Sequence, residues 1–163
     1  MSVTIRAATE ADVPAIRDIY NEAVLHTTAT FDLEEKSLDE RLEWFRDFQP
    51  PHCLIVAERA SEVLGYACLR QFRTKPAYRF TVENSVYIAP DHQGRGIGTI
   101  LLRELITLAR QGGFHTIIAG IAEGNPASEA LHEKFGFTRV AHEREVGYKF
   151  ERWLDVFWYQ LML

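Results

Sequence analysis

Ser85 to Leu105 read SVYIAPDHQGRGIGTILLREL. The first part is an apolar strand that ends near Pro90. Glycines follow at 94, 96 and 98, and then Leu101, Leu102, Leu105, Leu108 and Ala109 recur at helical spacing. A strand, a glycine turn and a helix in that order bring unpaired backbone N–H groups and the positive end of a helix dipole to one point. An anion is the expected occupant. The glycines let a ligand come close to the backbone, and Arg95 adds a cation that can pair bidentately with phosphate. Two common phosphate motifs do not fit. A P-loop needs lysine before the helix-start Ser or Thr, and Ile97-Gly98-Thr99 has none. A dinucleotide fingerprint needs glycine three residues after Gly96, where this chain has Thr99.

Downstream, Gly112 and Gly113 stop the helix, and FHTIIAGIA (114–122) reads as a strand buried on both faces. Strand, helix and strand form a right-handed crossover, so the two strands are expected to be parallel. NPASEALHEKFGF (125–137) is a short helix capped by Asn125, with Pro126 at its first position. FTRVAHEREV and KFERWLDVFWYQLML close the chain as two strands. Upstream, SVTIRAA is a strand, and capping boxes at Thr9–Asp12 and Ser37–Glu40 open two helices. The second helix takes Leu38, Leu42, Phe45 and Phe48 as its apolar stripe and ends at QPPH. CLIVAER and EVLGYACLRQF form a hairpin about a polar turn. The order β-α-α-β-β-β-α-β-α-β-β predicts an α/β fold, a mixed sheet with helices on both faces, in a single domain spanning 1–163.

Bulk properties narrow the function. The chain has 163 residues, 47% hydrophobic and 25% charged, with net charge −5. That balance argues against a broad nucleic-acid surface, and no apolar run reaches membrane-spanning length. The start, MSVTIRAATEAD, lacks the basic and apolar regions of a signal peptide, so a cytoplasmic location is expected. The two cysteines, Cys53 and Cys68, lie in apolar strands and read as buried thiols. No Cys/His spacing resembles a zinc site, and no metal is expected.

Gln93-x-x-Gly96-x-Gly98, set between an apolar strand and an apolar helix, resembles the acetyl-CoA loop of the GCN5-related N-acetyltransferases (GNAT). NPASEALHEKFGF is similar to the second signature of that family, and the element order agrees over essentially the whole chain. IYNEAVLHTTATFD, YRFTVENSVYIAPDHQGRGIG and VGYKFERWLDVFWYQL resemble the phosphinothricin and methionine-sulfoximine acetyltransferase subgroup. The resemblance implies a mostly antiparallel sheet whose one parallel strand pair splays to admit acetyl-CoA. It implies that Val86, Tyr87 and Ile88 run beside the pantetheine arm, and that Gln93, Gly94, Arg95, Gly96, Ile97, Gly98 and Thr99 wrap the pyrophosphate. Asn125 and Ser128 would lie near the far end of the arm. It also implies a small amino-acid-like amine as acceptor and a homodimer.

Acetyl transfer to an amine has to manage two protons. The amine is mostly ammonium near neutral pH, and the CoA thiolate leaves more easily if protonated. Glu83, which interrupts a strand of high β-propensity, is the expected base. His132 stands where most of the wider family has tyrosine. It is expected to serve either as acid to the thiolate or as a second base to the amine. An acceptor carboxylate is expected to meet Arg73 or Arg79, with Lys75 a lesser option and Phe31 a pocket wall. The alternatives are a protein N-terminus, a polyamine or an aminoglycoside as acceptor, or a CoA-binding module without catalysis.

Overall fold

A computed structural model describes residues 2–163. Seven strands form one sheet: β1 (Thr4–Ala7), β2 (Cys53–Arg59), β3 (Glu62–Gln71), β4 (Thr81–Ile88), β5 (Thr116–Ala122), β6 (Thr138–Lys149) and β7 (Arg152–Met162). Four α-helices accompany them: α1 (Val13–His26), α2 (Leu38–Arg46), α3 (Ile97–Gln111) and α4 (Pro126–Lys134). The strand order is β1-β2-β3-β4-β5-β7-β6. Every neighbouring pair is antiparallel except β4–β5, which is parallel as the crossover requires. This is the mixed α/β sheet that the sequence predicts.

Strand alternation sorts the core into two layers. Ile55, Ala57, Ala67, Leu69, Val82 and Ile117 meet α3, where Leu101, Leu102 and Leu105 are fully buried. Each such leucine contributes about 1.5–3 kcal/mol. Leu54, Val56, Tyr66 and Cys68 face the other way and meet Ile16 and Ile19 of α1, with Trp44, Phe45 and Phe48 alongside. A bulge at Leu64 keeps both patterns in register, since Ala57 pairs with Gly65 and Glu58 with Val63. Both cysteines are free thiols.

The Ser37–Glu40 capping box forms as expected: the Ser37 N–H donates to Glu40 Oε2 at 2.7 Å and the Glu40 N–H to Ser37 Oγ at 3.2 Å. The buried face of α2 differs from the expected stripe. Leu38 is exposed, while Arg41 is the one α2 residue that is buried. The helix is rotated so that its aromatic residues cover the sheet, and Arg41 is carried in with them. Among the described residues no helix is long and apolar enough to cross a membrane.

Candidate active site

β4 and β5 pair at only three positions, Thr81 with Thr116, Val82 with Ile117 and Glu83 with Ile118. Their outer edges stay fully paired, β4 with β3 from Val82 to Ile88 and β5 with β7 along its whole length. From Asn84 onward the inner edge of β4 is therefore free of strand partners. Free N–H and C=O groups in extended backbone suit a ligand that hydrogen-bonds like an added strand.

The glycine turn follows directly. Gly94 has φ +71° and Gly96 has φ +81°, and a Cβ added to either would meet nothing within 4 Å. Both therefore hold a left-handed backbone beside open space. Gly98 is different, because a Cβ there would stand 3.2 Å from Leu131 Cδ2, so this glycine brings α3 close to α4. Gly96 is the N-cap of α3 and has no side chain to satisfy the helix N–H groups.

A cleft of about 950 Å³ joins these parts. Val86, Tyr87, Ile88, Gln93, Gly94, Gly96, Gly98, Thr99, Asn125 and Ser128 all line it. The Arg95 and Ile97 side chains do not: Arg95 is exposed beside the turn, and Ile97 is buried in the α3 core. Asn125 accepts from the Ser128 N–H at 3.3 Å and so caps α4. The opposite wall is the C-terminal end of α1, including Ala23 and His26, with Thr28 just beyond it. Thr28 Oγ1 donates to the Glu123 carbonyl at 2.8 Å, which ties this wall to the end of β5. That wall was missed because apolar helical spacing reads equally well as core.

Glu83 sits at the last paired position before the strands part. Its cross-strand neighbours are Arg70 on β3 and Ile118 on β5. It is half-buried, and among the described residues its side chain has no ion-pair or hydrogen-bond partner. Burial pushes its carboxyl above the usual range, and the Arg70 charge pulls it partly back. A carboxylate raised toward neutral pH and free of partners can accept a proton.

His132 is on the opposite face of the sheet. It is only 3% exposed. Its Nδ1 lies 2.7 Å from the Ser128 carbonyl, which can only accept, so Nδ1 carries the proton. Burial lowers the His132 pKa, so the ring is neutral and Nε2 keeps a lone pair. Asn84 Nδ2, at 2.9 Å, donates to that lone pair. This fixes the Asn84 amide orientation and leaves its buried Oδ1 without a partner. The ring in this arrangement holds no proton on Nε2 and does not line the cleft. Asn84→Asp would set a carboxylate against Nε2 and favour the imidazolium. The His132 Cε1 proton resonance should then titrate at higher pH than in the wild type; an unchanged midpoint would break the assigned contact.

A family model described as the acetyltransferase (GNAT) family matches residues 13–137. The chain belongs to this family. It is 45% identical to an L-methionine sulfoximine/L-methionine sulfone acetyltransferase of Salmonella typhimurium, over 99% of this chain and 95% of that protein. It is 43% identical to a phosphinothricin N-acetyltransferase of Streptomyces coelicolor, over 97% of this chain and 95% of the relative. Its fold superposes with a TM-score of 0.96 on a phosphinothricin acetyltransferase of Sinorhizobium meliloti in complex with acetyl-CoA, at 38% identity, covering 100% of this chain and 89% of that one. The free edge of β4 and the glycine turn are thus parts of a GNAT acetyltransferase.

The residues expected on the acceptor side make local contacts of their own. Arg73 stacks over Phe72 at 4.8 Å and Tyr78 at 5.4 Å, and Arg79 over Phe80 at 4.4 Å. Lys75 is exposed before the short turn Pro76–Tyr78. Phe31 packs its ring against Gly147 of β6. None of the four lines the 950 Å³ cleft. Among the described residues, no three His, Cys, Asp or Glu side chains are grouped to hold a metal ion.

Proposed function

We propose that this chain, working as one catalytic domain, moves the acetyl group of acetyl-CoA to the α-amine of a small amino acid or analogue of the methionine sulfone, methionine sulfoximine or phosphinothricin type. The observation that carries this reading is the coincidence at Glu83: a half-buried carboxylate without a partner stands where β4 leaves β5 and its edge becomes free. The names of the relatives give the acceptor class.

In this reading the cosubstrate's arm hydrogen-bonds along Val86–Ile88, and its pyrophosphate meets the N–H groups around Gly94–Thr99. Asn125 and Ser128 border the arm from α4. Glu83 takes a proton from the ammonium, directly or through water. The amine nitrogen then attacks the thioester carbonyl, the C–S bond breaks, and the electron pair leaves with sulfur. His132, neutral and held by Ser128, positions Asn84 beside the free edge. Arg73, Lys75, Arg79 and Phe31 remain the acceptor-side candidates. Exposed Val146, Tyr148, Phe150 and Trp153 on the β6–β7 hairpin support a homodimer. We place the reaction in the cytoplasm, where acetyl-CoA is made.

Acetyl-CoA-dependent thiol release, measured over a panel of amines, tests the reading. Release is expected with methionine sulfone, methionine sulfoximine or phosphinothricin. Release confined to a polyamine, an aminoglycoside or a peptide N-terminus would overturn the acceptor class, and none with any amine would leave a CoA-binding module.

A further inference from the structure

β4 does not run unsupported into the glycine turn, because the start of β3 lies against the point where it leaves the sheet. Gly65 pairs with Ile88. A Cβ on Gly65 would stand 2.8 Å from the Tyr87 carbonyl oxygen, so any side chain there would push the β4 backbone away. One residue earlier, the bulged Leu64 accepts a hydrogen bond from the Ala89 N–H at 2.9 Å. Pairing is thus carried one step past the last residue of β4.

The contact continues into the short turn Pro90–His92, which leads directly to Gln93 and Gly94. His92 Nε2 lies 3.0 Å from Glu62 Oε1. The carboxylate only accepts, so Nε2 carries the proton and donates it. The His92 side chain is 12% exposed, and its buried Nδ1 has no hydrogen-bond partner among the described residues. A histidine with one buried nitrogen left unpaired is poorly placed for stability alone. Glu62 is itself held in place. It opens β3 opposite Arg59, across the two-residue turn Ala60–Ser61, whose φ values of +52° and +67° close a tight hairpin.

Neither Glu62 nor His92 lines the cleft. They reach a ligand only through the turn that follows them. Gly94 and Gly96 give that turn wide backbone freedom, and freedom lost on binding weakens affinity. The helix that starts at Ile97 fixes the exit of the turn. His92 stands at its entrance.

We propose that Glu62 and His92 are positioning residues for acetyl-CoA: their pair fixes the entrance of the glycine turn, so that its N–H groups are aimed before the pyrophosphate arrives. This rests on the assignment of the turn to the pyrophosphate made above. It brings the β2–β3 hairpin into cosubstrate binding.

Glu62→Ala removes an exposed side chain and leaves the core intact. Its CoA Kd, measured by calorimetry, should rise on the order of 3- to 10-fold, while kcat at saturating acetyl-CoA stays at the wild-type value. His92→Phe keeps a ring in the same space without the donor and should give a similar rise. The double variant should be no weaker than the more affected single one, since either substitution already breaks the pair. Glu62→Gln retains an oxygen acceptor and should recover most of the affinity. Acetyl-pantetheine lacks the pyrophosphate, so its KM as donor should be the same in all four variants as in the wild type. Wild-type CoA affinity in Glu62→Ala would overturn the proposal. So would additive losses in the double variant, or an equal rise in the acetyl-pantetheine KM, either of which would leave the pair only docking the hairpin. Gly96→Val separates this from the reading beneath it. Normal CoA binding there removes the turn from the cofactor site, whereas weak binding there beside wild-type affinity in Glu62→Ala removes the brace alone.

Discussion

Glu83→Gln is expected to lower turnover by roughly 10²–10⁴-fold, the usual contribution of a positioned general base, with acetyl-CoA affinity nearly unchanged. Glutamine keeps the size and hydrogen-bonding atoms of the side chain but cannot take the ammonium proton. In the wild type, kcat/KM should fall as pH drops through the Glu83 pKa, and this acid limb should be lost in the variant. Stability should move the other way. Burial raises the Glu83 pKa in the folded state, so the folded chain holds this proton more tightly than the unfolded chain. The fold therefore loses stability as pH rises from the ordinary carboxylate pKa of about 4.3 through the raised one. Removing the charge should make Glu83→Gln the more urea-resistant protein near neutral pH, and the gap should close once pH is below that ordinary value. A variant that loses activity and stability together, or binds acetyl-CoA poorly, would place Glu83 in the framework instead of the chemistry.

Opposite signs in activity and stability fit the way the site is built. Glu83 and Asn84 are two polar residues in the middle of an otherwise β-favouring strand, and strand alternation sends them to opposite faces. Glu83 goes to the face of Arg70. Asn84 goes to α4, where His132 receives it. The local parts of this arrangement are legible in the sequence. The strand, the glycine turn and the capped α4 are each written in consecutive residues, and the parallel crossover follows from their order. What depends on packing between distant elements is not. The stripe expected for α2, Leu38, Leu42, Phe45 and Phe48, leaves Arg41 out, and only the docking of Trp44 and Phe48 on the sheet draws it inside. His132 likewise reads as a proton carrier from its position in α4. Burial and two occupied ring nitrogens make it a neutral fixed group. The α1 wall of the cleft is hidden for the same reason, since Ala23 carries no sign of whether it meets a neighbour or a ligand.

Gly96→Val should do the reverse of Glu83→Gln, weakening acetyl-CoA binding on the order of 10²-fold while sparing turnover at saturation. Two costs combine there. The backbone at Gly96 has φ +81°, where an L-residue is disfavoured by roughly 1–2 kcal/mol and a β-branched one still more. The new side chain also fills the open space beside the first N–H groups of α3, so the anion that would take those bonds is pushed away, with a further loss of about 1.5–3 kcal/mol. The two costs are separable. Gly96→Ala carries most of the backbone strain with little bulk, and its loss of unfolding stability should approach that of valine. Its acetyl-CoA Kd should rise much less. Gly94, also left-handed and open at φ +71°, should behave similarly if the turn as a whole cups the pyrophosphate. Equilibrium binding of acetyl-CoA to the three variants checks this, and wild-type affinity in Gly96→Val would remove the turn from the cofactor site. The same ordering must hold for CoA itself, because the groups concerned lie far from the acetyl carbon and cannot distinguish thioester from thiol.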